Sequence, residues 1–168
     1  MHETPDELAR LQRLLDDSHA HAGSHLRGII TDGRRLGAEE MCRRLTGLRL
    51  LVVATATADG RPLAGPVDGY LIHGSWWFSS GRDAVKMRHL ARRPHVSACH
   101  LPGEELAVTV HGRVEIFDLM DPDRPELRRA MLDHYLPIQG PSFEDWLQGA
   151  DALGARVDAD KMFAFQSS

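Results

Sequence analysis

Cysteine is scarce: Cys42 and Cys99 are the only two in the chain, too few for the disulfide lattice that small secreted domains rely on. The opening stretch, Met1 to Arg10, is polar and acidic, which is not a signal-peptide pattern, so a reducing, cytoplasmic location is the expectation. Long hydrophobic runs are missing too. Leu48 to Ala58 is the longest and is broken by Arg49, well short of the roughly 18 residues a membrane span takes. Positive charge is not in excess. The formal net charge is −4 with basic residues scattered along the chain, which argues against nucleic acid as the main partner. No internal repeat is visible. Histidines are many, 10 in all, but His19-Ala20-His21 sits in a polar connector and its nearest histidine, His25, lies in a Gly/Ser-containing stretch, so no metal site is expected.

What is present suits one soluble core. At 168 residues, 42% hydrophobic and 26% charged, the chain buries enough surface to fold without a staple. Thr4 reads as an N-cap, Pro5 as the first helical residue and Glu7 as the return half of a capping box. Leu8, Leu11, Leu14 and Leu15 then give the helix one apolar face. A polar connector is expected from Ser18 to His25, followed by a helix from Ala38 to Leu45 that Gly47 stops. From Leu48 the pattern turns to strand, with Asp59-Gly60 as a hairpin signal, a return strand from Leu63 to Ile72, and His73-Gly74-Ser75 leading into Trp76 to Ser79. Pro66 implies an edge or a bulge.

Helical spacing returns over Arg82 to Arg92 and ends at Pro94. Val96 to Leu101 and Leu106 to Phe117 pair across Pro102-Gly103. Asp121-Pro122 opens a helix to Leu136, a short helix lies near Phe143 to Leu147, and Ala155 to Asp158 and Lys161 to Phe165 read as two closing strands. Meandering strands with one helix between the third and fourth indicate an antiparallel barrel with helices packed outside, an α+β fold. Residues 1–47 form an N-terminal helical extension, and 48–168 form the barrel domain. The extension is expected to cover a barrel end or extend a dimer interface, and its removal to leave a folded barrel.

One segment carries a chemical signal. A strand ends in Phe78-Ser79-Ser80-Gly81-Arg82 and a helix bearing Lys86 and Arg88 begins. Hydroxyls, free N–H groups at a helix start, the positive dipole end and two basic side chains all favour an anion such as phosphate. Ordinary capping and a solvated basic face explain the same residues. Cys42 and Cys99 read as packing residues, and of the adjacent Trp76 and Trp77 one should face the core and the other the outside.

The ordered set of Asp59-Gly60-Arg61-Pro62, Pro66-Val67-Asp68, Phe78-Ser79-Ser80, Lys86, Arg93-Pro94-His95-Val96-Ser97 and the later stretch Glu105 to Glu115 resembles the pyridoxamine 5′-phosphate oxidase-like split-barrel family. That family includes flavin- and deazaflavin-dependent oxidoreductases. The resemblance implies a split β-barrel homodimer that binds FMN, or the deazaflavin F420, at the subunit interface and acts on a small organic substrate. Ser80 and Lys86 fall at the family's phosphate positions, with Ser79, Arg82 and Arg88 as helpers. Val67 and Asp68 fall where the ring is approached, and Thr55 and Thr57 lie on the neighbouring strand. No side chain is singled out as catalytic, because in such proteins the cofactor carries the redox chemistry. Relatives that bind haem keep a non-catalytic haem- or flavin-binding protein as the alternative, with nothing to select among His100, His111 and His134.

Departures from the family narrow the activity. Ala64-Gly65-Pro66-Val67-Asp68-Gly69 stands where the true oxidase has an Arg and a Lys, and the tail Asp160 to Phe165 lacks its Arg-x-His signature. Ala84 replaces a serine two positions before the phosphate lysine. Vitamin B6 oxidation is therefore not expected. For F420, whose acidic tail needs a basic track, Arg27, Arg34 and Arg35 are the candidates.

Overall fold

The computed structural model describes residues 3–167. Helix α1 (Pro5–Ala20) starts at the capping box: Glu7 N–H donates to Thr4 Oγ1 at 3.3 Å and Thr4 N–H to Glu7 Oε2 at 2.8 Å. The helix runs on to Ala20, through the start of the connector expected from Ser18. Ser18, whose polarity suggested a connector, is buried; its Oγ donates to Leu14 O at 2.6 Å and accepts Met162 N–H at 2.9 Å. A buried hydroxyl with both roles filled is as good a helix residue as an apolar one. Helix α2 (Ser24–Ile29), a single 3-10 turn at Asp32–Arg34 and helix α3 (Ala38–Arg44) follow. Gly47, at φ 80°, then turns the chain into the first strand.

Six antiparallel strands close a barrel in the order β1-β2-β3-β6-β5-β4. They are β1 (Leu48–Ala56), β2 (Pro62–Ile72), β3 (Ser75–Gly81), β4 (His95–His100), β5 (Leu106–Asp118) and β6 (Ala152–Gln166). Helix α4 (Val85–Arg92) joins β3 to β4, while α5 (Glu126–Gln139) and α6 (Ser142–Gly149) join β5 to β6. The β2–β3 hairpin turns on His73 and Gly74, both at positive φ (53° and 72°), the geometry of a type I′ turn. No helix among the described residues is long and apolar enough to cross a membrane.

Two expected elements are corrected. The helix after β5 starts at Glu126, not Asp121: Asp121 forms a local turn, with its Oδ1 accepting Asp123 N–H at 3.0 Å, and Pro125 disfavours helical geometry at the residue before it. The two closing strands are one, β6, bent by a bulge. His111 pairs with Lys161 but Gly112 pairs with Ala159, leaving Asp160 without an opposite residue.

Side-chain alternation splits the core in two. Trp76 and Phe78 point into the barrel with Leu51, Val53, Val67 and Val110, whereas Trp77 and Tyr70 point out and are covered by Leu127 and Met131 of α5 and Phe143 and Leu147 of α6. The N-terminal helices do not stand apart from this packing. Leu11, Leu15, Leu36, Met41 and Leu45 belong to the same buried cluster as the barrel residues. Leu36 N–H donates to Ala164 O at 3.2 Å, and Gln12 Oε1 accepts Ala38 N–H at 2.9 Å.

Candidate functional site

Strands β2 and β3 share a ladder only from Gly69↔Phe78 to Ile72↔Ser75. Beyond it they part. The first half of β2, Pro62 to Asp68, keeps β1 alone as a neighbour, while Ser79, Ser80 and Gly81 pair with Gly154, Leu153 and Ala152 of β6. Pro66 lies in this one-sided stretch, where a missing N–H facing the open side costs no ladder bond. A cleft of about 410 Å³ opens at the fork. Asp68, Ser79 and Ser80 line its strand side, and Tyr135, Phe143 and Trp146 line its helix side.

Three of the nine candidate residues therefore meet at one place. The Tyr135 hydroxyl donates to Asp68 Oδ2. Burial first, and then the bond to Asp68, push the Tyr135 phenol up to about 12, so it keeps its proton at neutral pH. Ser79 Oγ reaches only the Met131 sulfur, at 3.6 Å, a weak acceptor that a better one would displace. The neighbouring Tyr70 hydroxyl is buried without a partner, and burial raises its pKa.

The remaining candidates are placed elsewhere. Thr55 is buried and shares a 3.0 Å hydrogen bond with His89 Nδ1 of α4. Thr57 closes the β1–β2 hairpin, its hydroxyl donating to Asp59 and accepting Arg61 N–H at 2.9 Å. The Val67 side chain packs inside the barrel, so backbone is what it offers a ligand. Arg82 is held between Asp151 at 2.6 Å and Asp118 at 2.9 Å. Asp118 is kept below the usual carboxylate range, first by Met120 N–H and then by Arg82. Arg88 donates to Asp83 O at 3.0 Å.

Lys86 is different: among the described residues it makes no hydrogen bond or ion pair. It sits in the first turn of α4, a helix whose N-cap is Ala84, with no side-chain cap. Helices α1, α3, α5 and α6 each carry acids in the first turn, whereas α2 and α4 have none, and α4 presents this lysine instead. A cation there works against the helix dipole unless an anion joins it. The chemistry of the donor set thus fits a phosphate, with Ser80 next to Gly81, the last residue of β3, and a helix start without a side-chain cap following.

The histidines and cysteines offer no second centre. His100 Nδ1 lies 2.9 Å from Leu50 O, and His111 Nδ1 lies 2.7 Å from Ser97 Oγ. His134 stacks edge-on against Tyr135 at 4.7 Å. Burial pushes the Cys42 thiol up to about 12 and also raises Cys99, the reverse of what a reactive thiolate needs. No group of metal-ligating side chains occurs among the described residues. Of the three arginines expected as a basic track, Arg27 is bonded to Ala22 O, Arg35 to Asp16, and Arg34 lies 5.9 Å over the Phe165 ring.

Sequence reasoning missed the helix side of the cleft. Phe143, Trp146 and Leu147 recur on one face of α6, a signal legible in the spacing, but nothing in the sequence says which barrel strands that face meets.

No curated protein matches the chain. Among solved structures it is similar to a conserved hypothetical protein of Mycobacterium tuberculosis, at 21% identity and a TM-score of 0.67 over 81% of this chain and 88% of that one. A heme storage protein of Vibrio cholerae superposes with a TM-score of 0.61 at 16% identity, covering 76% of this chain and 91% of the other. A FAD-binding protein of Mesorhizobium loti gives 0.55 at 24% identity, with 80% and 98% covered. These likenesses establish the barrel fold. Family membership rests on the sequence itself, for residues 38–158, from α3 to the middle of β6, match one family along their length. The chain belongs to the pyridoxamine 5′-phosphate oxidase family.

Proposed function

We propose that this chain is a cytoplasmic, homodimeric oxidoreductase that binds FMN, or F420 in its place, and acts on a small organic substrate. The observation that carries the reading is the start of α4: a helix end without a side-chain cap, with an unpaired Lys86 in its first turn, reached by a short connection from Ser79 and Ser80 at the end of β3. Ser80 and Lys86 would hold the cofactor phosphate, with Ser79 beside them. The open edge of β2 at Val67 and Asp68, freed from β3 by the fork, would flank the ring with unpaired backbone groups. When bound, the cofactor supplies the hydride or electron transfer, and the chain supplies binding and orientation.

An exposed apolar stripe supports the dimer. Pro66, Val52 and Cys99 lie side by side across β2, β1 and β4. Val52 is 51% exposed and Leu50, on the same face, 62%, values unusual for large apolar residues in the middle of a strand unless a partner covers them. Leu50 stands opposite Asp68, so a second copy seated on this stripe would close over the mouth of the fork. Val52→Glu is expected to convert dimer to monomer in sedimentation velocity, and a monomeric wild-type chain would remove this part of the proposal.

Replacing Lys86 by Ala is expected to weaken FMN binding by about 1.5–3 kcal/mol, the value of a charge-assisted hydrogen bond to phosphate. That is roughly 10- to 150-fold in Kd, read by flavin fluorescence. Unchanged affinity would take Lys86 out of the site. A haem-binding reading draws on the likeness to the heme storage protein and to a heme binding protein of Mycobacterium smegmatis; His100 and His111 use Nδ1 in their bonds to Leu50 and Ser97, and neither is singled out as a ligand.

A further inference from the structure

The first turn of α4 points where the rest of the helix lets it. At 8 residues, Val85–Arg92 is well under the roughly 12–15 at which an isolated helix becomes even marginal, so its placement is decided by what its later turns grip. Met87 and Leu90, each 1% exposed, sink into the barrel cluster and set the depth. Apolar burial is non-directional, so these two contacts leave the rotation of the helix about its axis weakly specified. Polar contacts supply the direction. Lys86, His89 and Arg93 follow at spacings of three and four, one stripe along the helix. Thr55 Oγ1 and His89 Nδ1 share a 3.0 Å hydrogen bond, and Arg93 Nε donates to Ala56 O at 3.0 Å.

Both bonds run to the last two residues of β1, past the point where its ladder with β4 stops at Ala54↔Ser97. Two members of the stripe are therefore spent on holding the helix to the strand. The third, Lys86, lies one turn from His89 and is bonded to nothing among the described residues. Thr55 is the informative partner. Its side chain is 4% exposed, on the inward face of a strand whose other inward residues, Leu51 and Val53, are apolar. Valine has nearly the same shape, suits a strand as well and buries no polar group. Packing alone therefore gives no reason for a hydroxyl here. A satisfied polar pair in a buried setting fixes one arrangement out of several that apolar contact would tolerate, and the arrangement fixed here is the rotation of α4.

We propose that Thr55 and His89 are positioning residues for the anion site at the start of α4: their bond sets how the helix is turned on β1, and so aims Lys86 and the first-turn N–H groups at the place beside Ser80 where a phosphate is held. This rests on the reading of that site given above. Neither side chain touches the ligand; both act through Lys86.

The test uses the full chain without cofactor, with FMN and inorganic phosphate as probes and thermal melting beside them. Thr55→Val keeps the shape and removes the hydroxyl: its Tm is expected within about 3 °C of wild type, with FMN bound at least about fivefold more weakly, as misplacement of a binding group produces. Thr55→Ser keeps the hydroxyl and loses a buried methyl, so the order reverses, with a lower Tm and FMN affinity within about twofold of wild type. In Lys86→Ala, adding Thr55→Val is expected to cost less than about twofold more, because residues that act through one another are not additive. Unchanged FMN affinity in Thr55→Val, affinity that falls in step with Tm across the two variants, or a full further loss in the Lys86→Ala background overturns the proposal. Phosphate separates it from the flavin reading. Phosphate that raises the wild-type Tm, and raises that of Thr55→Val less, supports the positioning role even where FMN fails to bind, an outcome that fells the flavin reading alone. FMN bound equally by wild type and Thr55→Val leaves the flavin reading and overturns the positioning, and binding of neither probe overturns both.

Discussion

Deleting residues 1–47 is expected to abolish cooperative folding. Leu11, Leu15, Leu36, Met41 and Leu45 are each almost fully buried and share one cluster with the barrel interior. At roughly 1.5–3 kcal/mol for each large apolar side chain removed from water, their burial is of the order of a whole domain's net stability, about 5–15 kcal/mol. Directional ties go with them. Ser18 satisfies the buried Met162 N–H, Ala164 O accepts from Leu36, and Arg35 bridges to Phe165, so the last third of β6 loses partners along its length. Freed chain entropy offsets part of the loss, since the deleted segment no longer has to be ordered. The remaining 48–168 chain is expected to show no sharp thermal transition and weak near-ultraviolet circular dichroism. A cooperative melt within a few degrees of the full chain would show that the barrel is self-sufficient and the helices an accessory cover.

Gly112→Ala is the point substitution expected to cost most. A Cβ at this position would lie 2.1 Å from Asp158 O and 2.9 Å from Ala159 Cα. Both are backbone atoms of the facing strand. They cannot swing aside as a side chain can, so relief requires breaking the bulge that takes up Asp160. A loss of about 3 kcal/mol is expected, at the upper end for overpacking, which is roughly 6–12 °C in Tm for a chain of this size. Gly103→Ala is the control. Its Cβ meets only the end of the Glu105 side chain, at 2.5 Å, which can rotate into solvent. A Tm change of less than about 2 °C is expected there, within the ±0.5 kcal/mol usual for surface changes. Equal effects at the two glycines would contradict the bulge account.

The contrast between these positions shows what could be read from the chain in advance. Thr4, Pro5 and Glu7 announce α1, and Asp59-Gly60 and His73-Gly74 announce the hairpins, because capping and turn chemistry act over three or four residues. The strand alternation that sends Trp76 inward and Trp77 outward is equally local. What stayed hidden depends on distant partners. Ser18 looks like connector until Met162 is opposite it, and Asp158 to Lys161 looks like a break in strand until Gly112 supplies the bulge. The same limit divides the site. Ser79, Ser80 and Lys86 are close enough in sequence to be read together as a candidate anion-binding set, whereas the partnership of Asp68 with Tyr135 joins residues 67 positions apart. Thr55 was placed near a ring from its strand position, but its inward side chain meets His89, a contact that only the docking of α4 defines.

The departures from the family's charge pattern make sense in this geometry. Where a true oxidase places two cations on the second strand, this chain has Ala64 to Gly69 with Asp68 its only charge. The two positive charges are replaced there by one carboxylate, while Ser79, Ser80 and Lys86, the residues proposed for the phosphate, are present.

The most direct test of the central claim is titration of the purified, cofactor-free full-length chain with FMN, F420 and haem in parallel, followed by fluorescence and absorbance. The account predicts micromolar or tighter binding of FMN or F420, at one site per protomer. Binding of haem alone, or of none of the three, would contradict it.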